Sequence, residues 1–301
     1  MNSWRTSFGP LGWVAAVVAL LSIGSVALAG DWPQFKRDAA RTGDAPDEVL
    51  EFPMHRVVAV KFPAPIYASA AVVAGRVYVQ DVRGQVACID GASGKVVWLT
   101  SIGGVANHSS PAVANGRVFV GSSAGHLAIL DAKDGKLLAK VPGKGGVVAS
   151  PALANGHVYF SALDGELIKI DYSGRVVWTF AEATGSFLDF AVRGDDILFF
   201  GRSEKVAPPY RENSVRLFHL RDEGKSVKLL TSRWAQTYPT SGLVFAEKDR
   251  CGYQTWRAEE GSSIVEVWDE DLKTTVHSWS PGGDNPDGRA IPAYRDGRFF
   301  F

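Results

Sequence analysis

Sulfur and net charge are nearly missing from this chain. Two cysteines and two methionines occur in 301 residues. Cys88 lies in the apolar run Val86-Ala87-Cys88-Ile89 and reads as a small buried core residue, the usual fate of a free cysteine. Cys251 lies in Asp249-Arg250-Cys251-Gly252, a turn-like setting. The two belong to different stretches, and spacing alone establishes no bridge, so no disulfide framework is expected. Lys+Arg and Asp+Glu are both 32. A neutral chain with scattered charge is not built to wrap nucleic acid or to coat an anionic membrane. The six histidines (His55, His108, His126, His157, His219 and His277) are spread out, without the spacing of metal ligands. Catalytic triads are recognised by geometry, and none can be inferred from this spread. His108 precedes an inner strand and reads as a loop residue that could face a channel mouth.

Other sites are excluded by what their motifs lack. Asp131-Ala132-Lys133-Asp134-Gly135 has two carboxylates but neither the third oxygen ligand nor the distant Glu of a calcium loop. Asp269-Glu270-Asp271 reads as a solvated turn. Gly224-Lys225-Ser226 imitates the end of a phosphate-binding loop, yet His219 stands where the earlier glycine is required. Trp268-Asp269 occurs once, without the periodic partner that a WD repeat needs.

Long apolar runs are absent beyond the N-terminus. There, Arg5 precedes an apolar stretch at 13–26, and Ala27-Leu28-Ala29 fits the small-residue cleavage rule before Gly30. The stretch is short for a spanning helix, which needs about 20 apolar residues. Residues 1–29 are therefore expected to be a signal peptide. No cysteine follows the cleavage point, so no lipid anchor is expected. The expected mature protein is periplasmic or extracellular, with no stable membrane insertion after cleavage.

What the chain has in quantity is a repeated phrase. Ser69, Gly75-Arg76-Val77-Tyr78-Val79, Gly84, Asp90 and Gly94-Lys95-Val96-Val97-Trp98 form the first copy. Ser110, Gly116-Arg117-Val118-Phe119-Val120, Gly125, Asp131 and Gly135-Lys136 form the second. Ser150, Gly156-His157-Val158-Tyr159-Phe160, Gly165, Asp171 and Gly174-Arg175-Val176-Val177-Trp178 form the third. Gly75 to Gly116 is 41 residues and Gly116 to Gly156 is 40. A fixed period near 40 with several short apolar runs per period is the mark of a β-propeller blade. The 32 glycines suit the tight turns of such a repeat.

Each copy reads as four strands. A small, apolar inner strand leads through Ala114-Asn115-Gly116 or Ala154-Asn155-Gly156, hairpins that need positive φ. A β-branched and aromatic second strand follows, then a third, and an outer strand ends the copy. Two looser copies follow: 189–232, with an inserted loop at 203–213, and 241–279. Residues 291–301 restate the opening of a blade and stop inside its second strand. Folded sheets avoid such an unpaired edge, so the chain is expected to be a C-terminally incomplete reading of a longer one. The expectation is thus an all-β propeller of four-stranded antiparallel blades at 66–301, about five plus a partial one. A lead-in at 30–65 precedes it, with one outer strand at 56–62.

These residues resemble the pyrroloquinoline-quinone-like, or quinoprotein-type, β-propeller repeats, similar to the B-type propellers of outer-membrane assembly lipoproteins. Blades of that family end in a tryptophan-docking motif close to Asp-x-x-x-Gly-Lys-x-x-x-Trp. Here it is carried by Asp90, Gly94 and Trp98, and by Asp171, Gly174 and Trp178. The second copy keeps Asp131 and Gly135 but has Ala139 in place of Trp. Asp31-Trp32-Pro33-Gln34-Phe35 with Arg41-Thr42-Gly43 also looks like the opening of exported members. The motif itself reads as structural: the Asp caps a turn and the Trp packs between blades. The family mixes dehydrogenases, assembly scaffolds and uncharacterised exported proteins, so the resemblance implies a fold and leaves function open.

Members that oxidise alcohols carry an adjacent Cys-Cys disulfide and a calcium set. The pair is absent here, and no calcium set can be assigned by motif. No catalytic residue, metal or cofactor is therefore expected. The function expected is a non-enzymatic binding or assembly scaffold that meets protein partners through a propeller face. The alternative is a pyrroloquinoline-quinone-dependent dehydrogenase, or a domain of one, with that quinone and calcium. The insert with Pro208, Pro209, Tyr210 and Arg211 is the candidate partner loop, beside its reading as a tolerated insertion.

Overall fold

The computed structural model describes residues 30–49, 52–53, 55–56, 58–105, 107–182, 186–202, 215–235, 238–239, 243–246, 251–257, 262–269, 272–273, 275–279 and 293–300. The signal stretch and the loop with Pro208, Pro209, Tyr210 and Arg211 lie outside these residues. Every regular element described is a β-strand.

Blade 1 is β1 (Ala71–Val73), β2 (Arg76–Gln80), β3 (Gln85–Asp90) and β4 (Val96–Ser101), paired in that order. Blade 2 repeats it with β5 (Ala112–Ala114), β6 (Arg117–Ser122), β7 (His126–Asp131) and β8 (Leu137–Pro142). Blade 3 has β9 (Ala152–Ala154), β10 (His157–Ser161), β11 (Leu167–Ile170) and β12 (Val176–Phe180). Blade 4 is longer: β13 (Ser186–Arg193), β14 (Asp196–Arg202), β15 (Val215–Asp222) and β16 (Val227–Ala235). In blade 5 the first strand is broken into β17 (Tyr238–Pro239) and β18 (Val244–Phe245), both paired with β19 (Cys251–Arg257). Then come β20 (Ser262–Trp268) and β21 (Thr275–Trp279). Cys251 therefore opens a strand rather than sitting in a turn. A two-stranded sixth sheet, β22 (Ala293–Arg295) and β23 (Arg298–Phe300), ends the described chain.

Local chemistry sets this pattern. The first hairpin of each early blade turns on two left-handed residues: Asn115 and Gly116 (φ 50° and 68°), or Asn155 and Gly156 (φ 51° and 70°). Such a pair twists with the strands it joins. Blade 1 places Ala74 (φ 50°) where the others have asparagine. The third and fourth strands of each full blade shift register once, at Cys88/Ile89, Ile129/Leu130, Lys169/Ile170, His219/Leu220 and Val267/Trp268. A bulge at a fixed place adds the same extra twist to every blade.

Side chains alternate between the two faces of a strand, so each blade serves two interfaces. Tyr78, Val86, Cys88 and Trp98 meet Val118, Val120, Ala128 and Leu130. Phe119, Leu127, Ile129 and Val141 meet Val158, Phe160, Ile168 and Ile170. Tyr159, Leu167, Trp178 and Phe180 meet Val192, Ile197, Phe199 and Phe218. The core is a series of such layers. The first strands of successive blades touch one another, which makes their free edges the hub.

The outer strand expected at 56–62 is not formed: among its described residues none is in a strand. The segment instead lies as a strap on blade 1, with Val60 and Phe62 against Val79, Ala87 and Ile89. Without a strand beside it to bond, it keeps the apolar contacts of an outer strand and loses the ladder.

Candidate functional site

The sequence motif resolves into an interlocking contact between blades. Trp98, on outer strand β4, is buried and donates from Nε1 to the Ala132 carbonyl of blade 2 at 3.0 Å. Its ring lies on Gly135, where a Cβ would come within 2.6 Å of Cδ2. Thr100 Oγ1 donates to the Gly135 carbonyl at 2.7 Å. Trp178 reaches blade 4 in the same way and donates to Asp222 Oδ1 at 3.0 Å. Asp222 also accepts from Lys169 Nζ at 2.7 Å and Tyr159 OH at 2.5 Å, so a buried ion pair completes this contact.

Two variants of the contact carried no sequence signal. Blade 2 has Ala139 where Trp would stand, and blade 3 answers with Tyr172, whose ring lies 5.9 Å from Phe119. Arg117 also donates to the Tyr172 carbonyl. In blade 4 the role falls to Arg233, whose guanidinium sits 3.6 Å over the Trp268 ring and donates to the carbonyls of Leu272 and Lys273. The alternation around Trp234 would have favoured the neighbouring aromatic, so only the fold reveals Arg233.

The acidic turns are satisfied from within. Asp90 accepts from the Ser93 N–H and hydroxyl, at 2.9 and 2.8 Å, and pairs with Arg76 at 3.2 Å. The Ser93 hydroxyl bond leads in holding its carboxyl below the usual range. Asp131 accepts the Lys133 N–H at 2.8 Å. Asp171 is lowered to about 2, first by the Ser173 hydroxyl; burial opposes this, and the N–H groups of Arg175 and Ser173 and the Arg175 charge together lower it further. Gly94, Gly135 and Gly174 take left-handed φ of 69°, 75° and 95° in these turns. These residues build blade contacts and are not gathered into one cleft.

The hub holds a feature hidden in the lead-in segment. Trp32 exchanges two backbone bonds with Val72 of blade 1, at 2.7 and 2.8 Å. The Val113 N–H of blade 2 donates to the Pro33 carbonyl at 2.8 Å. In blade 3 the Leu153 N–H donates to Gln34 Oε1 at 2.8 Å, and Gln34 Nε2 returns a bond to the Leu153 carbonyl at 3.3 Å. Val192 of blade 4 donates to Ala39 O, and Phe245 of blade 5 to Ala40 O, both at 2.8 Å. Tyr294 of the sixth sheet donates to Thr42 O at 2.9 Å. Arg41 is fully buried among them. It donates to the carbonyls of Ser150, Phe35 and Phe190 at 2.7, 3.1 and 3.3 Å, with its guanidinium 5.4 and 5.6 Å from the Phe35 and Phe190 ring centres.

The two ends of the ring differ in chemistry. Antiparallel order puts the blade-to-blade connectors and the second turns on one face, and the Asn-Gly and Asp turns on the other. On the connector face Ile66, Tyr67 (67% exposed), Val105 (75% exposed) and Leu163 stand in solvent, and Tyr67 stacks on His108 at 5.4 Å and 9°. Hydrogen bonds tie these loops together. Val82 N–H donates to Pro65 O, Asn107 N–H to Val82 O, Val105 N–H to Ser123 Oγ and Leu163 N–H to Gly146 O, at 2.9, 3.2, 2.9 and 2.9 Å.

A family model described as outer membrane protein assembly factor BamB matches residues 53–138 and 106–207. Among solved structures the chain is similar to BamB from Moraxella catarrhalis, at 13% identity and a TM-score of 0.58, over 78% of this chain and 67% of that one. It is similar to a europium-containing methanol dehydrogenase at 14% identity and a TM-score of 0.63, over 85% of this chain and 59% of that one. A quinohemoprotein alcohol dehydrogenase from Comamonas testosteroni gives 16% and 0.63, over 87% of this chain and 51% of that one. The chain thus spans less than two thirds of either dehydrogenase. No curated protein sequence matches it. At these identities the likeness is one of fold.

Proposed function

This chain belongs to the PQQ-like propeller repeat family described as outer membrane protein assembly factor BamB, and from that premise we propose that it is an exported, non-enzymatic scaffold whose connector face holds protein partners. The observation that carries the reading is the group Ile66, Tyr67, His108, Val105 and Leu163. Exposed apolar and aromatic side chains gathered on one face mark protein contact sites, and aromatic residues supply most of the energy at such sites. The bonds between the loops hold this surface ready-made, which lowers the cost of ordering it on binding. The opposite face offers short polar turns.

The second reading is a quinone-dependent dehydrogenase, favoured by the likeness to two such folds. The residues at the hub do not fit a planar cofactor held there. The axis is taken by residues 32–42 of the chain, and the Phe35 and Phe190 rings already enclose the Arg41 guanidinium. This supports the scaffold.

Photocrosslinking amino acids placed at Tyr67 and Leu163, and at Asn115 and Ser173 on the other face, test the reading in the native envelope. Tyr67 and Leu163 should crosslink one shared protein, and Asn115 and Ser173 should not. Equal yields from both faces would overturn it. So would alcohol oxidation restored to the purified protein by added quinone and calcium.

A further inference from the structure

The lead-in segment behaves as a ligand. Residues 32, 33, 34, 39, 40 and 42 bond blades 1 to 5 and the sixth sheet in order, so the segment runs past the six described sheets in the direction of the chain. It addresses the same group each time. Val72, Val113, Leu153, Val192, Phe245 and Tyr294 are the residues of their first strands whose N–H faces the hub. These strands are edges, and buried N–H groups left alone are costly. The segment satisfies them with its own carbonyls and one amide side chain.

The contact is tight enough to hold backbone strain. Lys36, Arg37 and Arg41 have φ of 56°, 68° and 63°, which non-glycine residues adopt only where their surroundings impose it. Asp38 braces the bend: its carboxylate accepts the Thr42 N–H at 3.0 Å and the Thr42 hydroxyl. Arg41 then pins the segment to blades 3 and 4 at once, through Ser150 and Phe190. Past Asp44 the chain leaves this environment, and Val49 and Phe52 are exposed.

We infer that the hub of this propeller is a binding site for an extended peptide, and that residues 31–44 are its resident ligand. The site recognises acceptor oxygens at one level of the six described sheets, five backbone carbonyls and the Gln34 amide, and it takes an arginine flanked by phenylalanine as its anchor. The segment fixes the sequence of blades round the axis and closes the axis to other occupants. This holds whichever partner the connector face takes.

The test cuts the link in the folded protein. A protease recognition sequence placed after Val49 is cleaved, and the N-terminal fragment is followed by size exclusion and mass spectrometry. It should stay with the ring and exchange only slowly with a labelled synthetic peptide of residues 30–45. Arg41→Ala in the cut protein should speed that exchange at least tenfold. In the uncut Arg41→Ala protein, hydrogen exchange should rise together at Val72, Val113, Val192, Phe245 and Tyr294, while amides of β3, β7 and β11 stay protected. If Arg41→Ala does not fold, Gln34→Ala serves in the same assays and should release the Leu153 amide first and the other hub amides less. A fragment that departs on cleavage while the hub amides keep their protection would overturn the inference. So would exchange that rises only beside Ser150 and Phe190.

Discussion

Gly135 and Gly116 share a left-handed φ and differ in what surrounds them, so replacing each by alanine isolates the blade contact. Their φ values are 75° and 68°. A Cβ on Gly116 meets nothing within 4 Å, whereas one on Gly135 would lie 2.6 Å from Trp98 Cδ2 and Cε3 and 2.8 Å from Thr100 Oγ1. Alanine in the left-handed region costs roughly 1–2 kcal/mol at either site. At Gly135 the indole must also withdraw by most of an ångström. It is held by its bond to Ala132 O and by the Tyr78 ring at 6.0 Å, so it cannot simply swing away. Overpacking of this kind costs roughly 1–3 kcal/mol, and a strained indole hydrogen bond adds about 1 kcal/mol. Gly135→Ala should therefore destabilise by about 2–4 kcal/mol more than Gly116→Ala. Urea denaturation followed by circular dichroism reads this as a lower midpoint at unchanged slope. In a Trp98→Ala background the difference between the two glycine replacements should shrink to what the Thr100 hydroxyl imposes. Equal costs in the wild-type background would refute the reasoning, because the tryptophan would then not rest on Gly135 in solution.

Two further outcomes follow from local geometry. Ala74→Asn should stabilise the protein by roughly 0.5–1 kcal/mol, because Ala74 sits at φ 50° where asparagine is tolerated, and a denaturation midpoint that does not rise would count against that turn. Burial alone would raise the Asp222 carboxyl, but the Lys169, Tyr159, Trp178 and Gly224 donors outweigh it and hold it below the usual range. A depressed carboxylate contributes its full stability above the unfolded value of about 4 and loses it as pH falls through the lower folded value. Wild type should thus lose stability below about pH 4 more steeply than Asp222→Asn, and parallel acid profiles would refute this.

The period, the strand order and the left-handed hairpins were legible because they repeat: a Gly-turn-strand phrase needs only neighbours along the chain. The ring plan of blades 1 to 3 came from that alone. The lead-in segment was not legible. Most of its bonds run from backbone to backbone between residues far apart in the chain, and such bonds impose no residue type; the side-chain bonds of Gln34 and Arg41 occur once each, with no repeat to announce them, so 31–44 looks like an ordinary loop. The strand expected at 56–62 failed for a related reason: its apolar pattern is right, but a strand also needs a partner edge. The repeated motif marks the blade contacts at Trp98 and Trp178. They were missed where the next blade supplies the ring, as with Tyr172, or where a cation replaces it, as with Arg233. The connector face has no motif at all, because it draws single residues from separate loops.

The strap has one more consequence. Trp98 of blade 1 and Ile129 of blade 2 each rest over a turn glycine of the next blade, Gly135 and Gly174, so the contact is head-to-tail. Surfaces of that kind invite open-ended polymers of one molecule behind another. On blade 1 the hollow lies over Gly94, and Val58 occupies it: a Cβ on that glycine would lie 2.1 Å from Val58 Cγ2. The chain therefore blocks its own first hollow, and the tryptophan of a second molecule finds no vacancy there in which to begin a filament.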